Sequence, residues 1–274
     1  MTVAAALRHA AAQLAAVSDT PRLDAELLMA HLLGITRTEL LLRRIGDAPP
    51  PDFAALIEQR LAHMPVAYIL RSQEFWGLNF GIAPGVLIPR SDSETVVRAA
   101  LAARPDARRV LDLGTGSGAL LLAVLSELPD ATGLGIDASS LAWLTAAANI
   151  ERLDLTGRAQ VLRHDWTVPG WTDPLGRFDL ILANPPYVEA GAALDPQVRD
   201  YEPHEALFAG ADGLDAYRLL LPTLPALLEP EGVAVFEIGS TQAEAVTALA
   251  EVAGLSATLH HDLGGRPRAL EFKN

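Results

Sequence analysis

Apolar residues recur every three or four positions through residues 1–72, which is the spacing of a buried helix face. Residues that begin or end helices divide this stretch into four predicted helices. Thr20-Pro21 begins the second helix, Gly34 ends it and Thr36 begins the third with a capping-box pattern, while Pro65 stops the fourth. We therefore expect residues 1–72 to form a small helical domain that is accessory to the rest of the chain.

The pattern changes to alternation from Phe75 to Pro89. Turn residues, including Trp76-Gly77 and Pro84-Gly85, interrupt the apolar positions there. Alternation broken by such residues is typical of a β-hairpin. Residues 73–91 are therefore predicted to form a hairpin linker.

Strands and amphipathic helices alternate over residues 92–274. Three of the expected helices cover Ala119–Leu128, Ser140–Leu153 and Ala216–Leu228. This rhythm predicts an α/β domain with a parallel, doubly wound, Rossmann-like sheet and helices on both faces. Seven strands are expected: Arg109–Leu113, Thr132–Asp137, Gln160–His164, Phe178–Leu182, Val233–Ile238, Ala257–His261 and Arg268–Phe272.

The amino-acid composition excludes several kinds of functional site. The 274 residues are 50% hydrophobic, contain no cysteine and carry a formal charge of −13, so thiolate metal sites and cysteine nucleophiles are excluded. The charge is unevenly distributed along the chain. Residues 1–72 hold seven basic and seven acidic groups, whereas residues 73–274 hold 14 basic and 27 acidic groups. The excess of acidic groups in residues 73–274 argues against nucleic-acid binding. No apolar run is long enough to cross a membrane, so we expect a cytoplasmic monomer without a membrane or nucleic-acid partner.

A glycine-rich turn follows the first strand of the sheet and leads directly into a helix. Its five residues are Gly114, Thr115, Gly116, Ser117 and Gly118. Glycines at these positions let the backbone approach a ligand closely. The GxGxG spacing differs from the GxGxxG of dinucleotide sites, and the turn alone is weak evidence.

Two residues strengthen the assignment of a cofactor site. Asp137 ends the second strand, where a carboxylate can accept both hydroxyls of a ribose, although it could instead cap the helix from Ser139 onward. Trp166 follows the third strand and could contact an adenine ring or belong to the core. The only lysine is Lys273, so no phosphate-binding lysine is present. These features favour a nucleoside cofactor without phosphates, commonly S-adenosylmethionine.

The segment Asn184-Pro185-Pro186-Tyr187 follows the fourth strand. Strand order reverses between the first and fourth strands of such a sheet, so this segment should face the glycine turn. The prolines remove two amide donors and leave carbonyls as acceptors, Asn184 adds a side-chain oxygen and Tyr187 offers a flat ring. Two acceptors can hold both hydrogens of a planar NH₂ group while its nitrogen attacks a sulfonium methyl. The dispersed histidines argue against a metal site.

The tetrapeptide resembles the signature of S-adenosylmethionine-dependent methyltransferases that act on exocyclic or amide nitrogens. Further segments resemble the release factor glutamine methyltransferases (PrmC/HemK), from about residue 20 to the C-terminus. They are Pro65–Ile69, Glu74–Leu78, Val86–Arg90 with Glu94, Tyr201–Phe208, Gly210–Leu214, Glu237–Gly239 with Gln242, and Asp262–Arg268.

The resemblance implies that Gly114–Gly118, Asp137, Trp166 and Asn184 contact S-adenosylmethionine. It implies that Asn184–Tyr187 hold the substrate, the glutamine of the Gly-Gly-Gln loop in class I peptide chain release factors, which is methylated on its side-chain nitrogen N5.

Three linker residues depart from the family pattern. Arg71 replaces a usual glycine, and Ser91 and Ser93 replace Pro and Thr. We expect them to affect domain orientation more than chemistry.

Two other functions fit part of the pattern. An adenine-N6 nucleic-acid methyltransferase shares the tetrapeptide, but the acidic catalytic half opposes phosphate binding. An adaptor that binds the cofactor without turnover would not need the intact Asn184–Tyr187 segment.

Overall fold

A computed structural model describes all residues, 1–274. The chain forms two compact units. One comprises Met1–Ser72 with Leu194–Glu202, and the other comprises Gln73–Ala193 with Pro203–Asn274. No helix has both the length and the apolar composition that a membrane crossing requires.

The smaller unit is helical. Leu7, Leu28, Met29 and Leu40 are fully buried at its centre, which explains the helical spacing of its apolar residues. The Thr36 hydroxyl accepts the Glu39 amide at 3.1 Å, as the capping pattern predicts. The helices are α1 (Val3–Leu14), α2 (Pro21–Leu33), α3 (Arg37–Glu39), which continues as a π-helix over Leu40–Arg44, α4 (Phe53–Leu61) and α5 (Val66–Leu70).

Helix α5 was not expected, because Pro65 stops the preceding helix and leaves only a short segment before the hairpin. It ends at Arg71, whose φ of 57° lies in the left-handed region. Glycine adopts that region without steric cost, so the glycine that the resemblance leads us to expect at this position would carry less strain than Arg71.

A two-stranded hairpin joins the units in sequence. It consists of β1 (Ser72–Phe75) and β2 (Leu78–Gly81), with φ values of 53° at Trp76 and 71° at Gly77, as in a type I′ turn. The hairpin is shorter than predicted. Residues 82–90 form turns without strand pairing, because Pro84 and Pro89 lack the amide hydrogen that a ladder needs.

The larger unit has a seven-stranded sheet, as predicted, with strand order β5-β4-β3-β6-β7-β9-β8. Five strands are parallel, but β9 pairs antiparallel with both β7 and β8. The expectation of an all-parallel sheet is therefore wrong at one edge, because the short Asp262–Arg266 turn between β8 and β9 allows only antiparallel pairing. The strands are β3 (Arg109–Leu113), β4 (Thr132–Asp137), β5 (Ala159–Arg163), β6 (Phe178–Ala183), β7 (Leu228–Glu237), β8 (Ser256–His261) and β9 (Pro267–Lys273).

One expected helix in this unit is broken. The stretch predicted as a helix over Ala216–Leu228 contains α10, a 3₁₀ turn and α11, and Leu228 already begins β7. Pro222 and Pro225 interrupt it, since proline removes a helical hydrogen bond. The helices are α6 (Glu94–Ala103), α7 (Ala119–Glu127), α8 (Ser140–Arg152), α10 (Asp215–Leu220), α11 (Leu224–Leu227) and α12 (Ala243–Val252). Helix α9 (Pro196–Tyr201) belongs to the smaller unit.

The sheet centre brings the expected site together. Strand β3 lies between β4 and β6, and the three strands run parallel. Their carboxyl ends therefore lie at the same edge of the sheet, where the glycine turn, Asp137 and Asn184 follow. Buried apolar residues such as Leu111 and Ile181 hold these strands between the helices.

Candidate active site

A cavity of about 340 Å³ opens at the carboxyl ends of β3 to β6. Most of the residues predicted as cofactor or substrate contacts line it: Gly114, Thr115, Gly116, Ser117, Asp137, Trp166, Asn184 and Pro186. Three predicted residues, Gly118, Pro185 and Tyr187, do not line it. All of its lining residues belong to the larger unit.

The glycine turn is held by the neighbouring strand and helix. The amides of Gly114 and Thr115 both donate to the Ile136 carbonyl, at 2.9 and 3.0 Å. Asn149 of α8, which is 1% exposed, donates to the Ser117 carbonyl at 2.8 Å and also bonds Gly81 of the hairpin. These hydrogen bonds hold the turn within the fold.

The space available for a side chain differs between Gly114 and Gly116. Both have positive φ, 71° and 57°. A Cβ on Gly114 would lie 2.8 Å from Cη2 of Trp166, whereas a Cβ on Gly116 would meet no atom within 4 Å. Gly114 is therefore needed for packing against Trp166, and Gly116 leaves open space beside the cavity.

We expect Gly114→Ala to lower the free energy of unfolding by about 2–3 kcal/mol, from backbone strain together with the Trp166 clash. Gly116→Ala, which has the strain without the clash, should cost about 1 kcal/mol. Urea unfolding of the two variants measures this difference. If both variants lost the same stability, a Cβ at residue 114 would not clash with the Trp166 ring.

Asp112 lies beneath the turn and is 1% exposed. Its Oδ2 accepts the Thr115 hydroxyl at 2.6 Å, while Oδ1 has no hydrogen-bond partner. Burial raises the pKa of Asp112 to about 7, because a desolvated carboxylate favours its neutral form. The folded protein therefore retains a proton on Asp112 over a range of pH where the unfolded chain has lost it.

This difference in proton binding predicts a pH effect on stability. The stabilisation from the retained proton is complete below about pH 4 and is lost as pH rises to about 7. Asp112→Asn removes it. From pH 8 to pH 5 the parent should therefore gain about 2–3 kcal/mol of unfolding free energy relative to Asp112→Asn. Urea unfolding at both pH values tests this, and a constant difference between the two proteins would contradict it.

Asp137 uses both carboxylate oxygens within the fold. Oδ2 accepts the Gly116 amide and Oδ1 accepts the Ser139 amide, each at 2.9 Å. The N-cap of α8 is Ser139, whose hydroxyl accepts the Ala142 amide. A carboxylate has about four acceptor positions, so Asp137 can hold the turn and still accept hydroxyls from the cavity. Burial raises the pKa of Asp137 above its ordinary value.

Trp166 lies between the cavity and the core. It lines the cavity and also packs against the core of the larger unit. Its neighbour Asp165 also lines the cavity and accepts the amide and hydroxyl of Thr167, which lower the pKa of that carboxyl.

The tetrapeptide offers backbone acceptors that the fold leaves free. No donor in the chain bonds the carbonyl oxygens of Asn184, Pro185 or Pro186. The Tyr187 carbonyl is different, because Nε2 of Gln242 donates to it at 3.0 Å. These three carbonyls are therefore free to accept hydrogen bonds.

The Tyr187 side chain is not placed as expected. Its ring packs against the core, and its hydroxyl donates to Oε1 of Glu237 at 3.1 Å. Burial and the charge of Glu237 raise the pKa of Tyr187. The structure therefore anchors Tyr187 instead of presenting its flat ring to the cavity.

Comparison with known proteins decides the family. The model of the PrmC N-terminal domain matches residues 5–70, and that of the methyltransferase small domain matches residues 92–201. The release factor glutamine methyltransferase of Cereibacter sphaeroides is 42% identical over 283 residues, covering 100% of this chain and 99% of the relative. That of Caulobacter vibrioides is 42% identical over 243 residues, covering 86% and 83%. The chain belongs to the release factor glutamine methyltransferase family.

Solved structures confirm the methyltransferase fold expected for this family. The hMettl16 catalytic domain in complex with MAT2A 3'UTR hairpin 1 has a TM-score of 0.57 at 16% identity, covering 82% of this chain and 91% of that one. The ribosomal protein L11 methylase of Lactobacillus delbrueckii subsp. bulgaricus has a TM-score of 0.50 at 20% identity, covering 70% and 83%.

Several residues that shape the cavity or hold the tetrapeptide were not predicted from the sequence. Ser93 lines the cavity, and its Oγ accepts the Asn184 Nδ2 group at 3.4 Å. Its departure from the family pattern was expected to affect domain orientation, and the structure places Ser93 in the wall of the cavity beside Asn184. Glu205 lines the cavity as well. Glu237 and Gln242 were noted only as matches to the family, without a role, because their strand and helix meet the tetrapeptide only in the folded sheet.

Proposed function

We propose that this chain transfers a methyl group from S-adenosylmethionine to the side-chain nitrogen N5 of the glutamine in the Gly-Gly-Gln loop of class I peptide chain release factors. The observation that carries this proposal is the group of unpaired acceptors at Asn184–Pro186 beside the cavity. The names of the relatives support the substrate class, since each is a release factor glutamine methyltransferase.

The cavity suits the cofactor in shape and charge. Gly116 leaves open space at its wall, and Asp137 keeps acceptor positions for ribose hydroxyls. The charged lining residues are Asp137, Asp165 and Glu205, and no Lys or Arg lines the cavity. A cationic, phosphate-free nucleoside fits this lining, whereas a pyrophosphate would face carboxylates without a balancing cation.

The chemistry depends on how the chain orients the substrate nitrogen. S-adenosylmethionine supplies an electrophilic methyl group on a sulfonium sulfur. The substrate amide nitrogen is a weak nucleophile, so its two hydrogens must be held as its positive charge develops. Oδ1 of Asn184 and the tetrapeptide carbonyls supply these acceptors. No base is needed before transfer, because the nitrogen loses its proton readily once it carries the methyl group.

We also propose that the helical unit, residues 1–72, binds the release factor away from the Gly-Gly-Gln loop. The cavity draws no lining residue from this unit, which leaves the unit available for contacts with the rest of a protein substrate. Its equal numbers of basic and acidic groups argue for recognition by shape more than by net charge.

A competition assay tests the substrate class. The purified chain is incubated with methyl-labelled S-adenosylmethionine and equal amounts of a class I release factor, duplex DNA and RNA. We expect the label in the release factor only, since residues 73–274 have 27 acidic and 14 basic groups and oppose phosphate backbones. Label in a nucleic acid but not in protein would support the adenine-N6 alternative. Cofactor binding without transfer to any of the three would support the adaptor alternative.

A further inference from the structure

We propose that Asn149 is a positioning residue that couples two walls of the cavity, so that the affinity for S-adenosylmethionine depends on it. One wall is the glycine turn. The other, which we call the linker wall, follows the hairpin and consists of Gly85, Val86, Leu87 and Pro89. Asn149 itself does not line the cavity. This inference rests on the proposed use of the cavity by S-adenosylmethionine.

Asn149 is a polar residue on an apolar helix face. The buried residues of α8 are Ala142, Ala146, Asn149 and Ile150, at the three- and four-residue spacing of a single face. Asn149 is the only one of the four with a polar side chain, and it is 1% exposed. Burial of an amide group costs free energy unless its atoms have hydrogen-bond partners. The position of Asn149 therefore depends on the groups that it bonds.

Three hydrogen bonds satisfy the polar atoms of the Asn149 side chain. Oδ1 accepts the Gly81 amide at 2.7 Å. Nδ2 donates one hydrogen to the Gly81 carbonyl at 3.0 Å and the other to the Ser117 carbonyl at 2.8 Å. The paired bonds with Gly81 fix the orientation of the side-chain amide, since a flipped amide would place a donor against the Gly81 donor. The second Nδ2 hydrogen is thereby directed to Ser117.

Each of the two bonded residues belongs to a segment that reaches the cavity. Ser117 lines the cavity directly. Gly81 ends β2, and the linker wall begins four residues later at Gly85. Helix α8 also approaches this wall, because a Cβ on Gly85 would lie 3.3 Å from Cδ1 of Leu141. Asn149 therefore joins the chain that enters the linker wall to the glycine turn.

The bond to Ser117 gives the glycine turn a second anchor. At the start of the turn, the amides of Gly114 and Thr115 donate to the Ile136 carbonyl, whereas Asn149 holds a carbonyl near its end. Without Asn149 the turn and the linker wall lose their shared partner, and cofactor binding must then order both. The affinity for the cofactor should fall accordingly. Because coupling is reciprocal, a bound cofactor should also hold the linker more firmly.

Two substitutions that each remove three hydrogen bonds to the backbone test this role. Asn149→Ala removes the three bonds at Gly81 and Ser117. Arg158→Met is the matched control, because Arg158 does not line the cavity. Its guanidinium donates at 2.9–3.0 Å to the carbonyls of Leu125, Leu128 and Ala131. Both variants should have lowered melting temperatures, but only Asn149→Ala should have an altered cofactor site.

Calorimetric titration of S-adenosylmethionine gives the first readout. We expect the Kd to rise about ten-fold in Asn149→Ala, the effect of losing one preorganising hydrogen bond at the turn. In Arg158→Met the Kd should stay within about three-fold of the parent. A parent-like Kd in folded Asn149→Ala, or an equal rise in Arg158→Met, would overturn the proposal. Circular dichroism at the temperature of the titration shows whether each variant is folded.

Hydrogen exchange of single backbone amides, followed by NMR, gives a readout in the parent itself. The Gly81 amide bonds Asn149, whereas the Thr132 amide bonds the Arg108 carbonyl at 2.8 Å, at the amino edge of the sheet. Saturating S-adenosylmethionine should slow exchange at Gly81 about ten-fold more than at Thr132. This excess should disappear in Asn149→Ala. Equal slowing at both amides of the parent would contradict the coupling even if Asn149→Ala failed to fold.

Failure of the proposed function gives a different result. A parent that binds no S-adenosylmethionine would refute the proposed function, whereas a parent and an Asn149→Ala variant of equal affinity would refute only the role of Asn149. Exchange without the cofactor separates the two further. The Gly81 amide should exchange at least about ten-fold faster in Asn149→Ala than in the parent, with Thr132 unchanged. An unchanged rate at Gly81 would show that Asn149 does not hold the linker.

Discussion

Asn184→Ala should lower kcat for release factor methylation by about 10²–10³-fold, the effect of removing one preorganised group that stabilises charge in a transition state. The Oδ1 acceptor is lost, while the free carbonyls of Pro185 and Pro186 remain. The Kd for S-adenosylmethionine should change by less than about five-fold, since the turn and Asp137 are untouched. Steady-state kinetics with a release factor and calorimetric titration of the cofactor measure the two quantities.

Asn184→Asp is the matched control, because it keeps side-chain acceptors and loses only the Nδ2 donor that bonds Ser93. We expect a loss of about ten-fold in kcat, from disturbed orientation and an added charge. If Asn184→Ala lost no more activity than Asn184→Asp, the acceptor at this position would not be what drives transfer.

Asp137→Ala should weaken binding of S-adenosylmethionine by about 100-fold or more. Hydrogen bonds to a charged group contribute about 1.5–3 kcal/mol each, and the variant loses the acceptors for both ribose hydroxyls. It also frees the Gly116 and Ser139 amides that Asp137 holds, so the turn loses preorganisation. Calorimetric titration gives the affinity, and the melting temperature reports the loss of internal bonds.

Asp137→Asn separates the two contributions. The single side-chain oxygen of asparagine can accept one of the two backbone amides, that of Gly116 or that of Ser139. Its NH₂ group would face the other amide, which is also a donor. We expect cofactor affinity between those of the parent and Asp137→Ala. A parent-like affinity in Asp137→Ala, with a lowered melting temperature, would mean that Asp137 serves the fold and not the cofactor.

The strand-and-helix rhythm was enough to predict the seven strands of the sheet and the edge at which the cavity lies. Strands β3 and β4 have the bounds that were expected, because buried parallel strands are apolar runs that end at a turn or a carboxylate. Strand β7 begins five residues earlier than expected, at Leu228. Its Glu229-Pro230-Glu231 segment has the composition of a loop, and only pairing of Leu228 with Phe178 makes it a strand.

The side-chain bonds of the tetrapeptide could not be predicted in the same way. Asn184 bonds Ser93 and Tyr187 bonds Glu237, and both partners lie far from the tetrapeptide in the chain. These contacts depend on the order of strands in the sheet and on side-chain directions that no local pattern encodes. Tyr187 illustrates this. A tyrosine after the fourth strand suggested stacking, whereas the hydroxyl of Tyr187 donates to a buried carboxylate at the end of the next strand, β7.

Mass spectrometry of the methylated release factor tests the central claim most directly. After incubation with the chain and S-adenosylmethionine, the peptide that contains the Gly-Gly-Gln loop should gain one methyl group on the glutamine side chain. The parent enzyme should leave a release factor with Gln→Ala in that loop unmodified, and Asn184→Ala should leave the natural release factor nearly unmodified over the same time. A methyl group on any other residue, or on the Gln→Ala protein, would contradict the account.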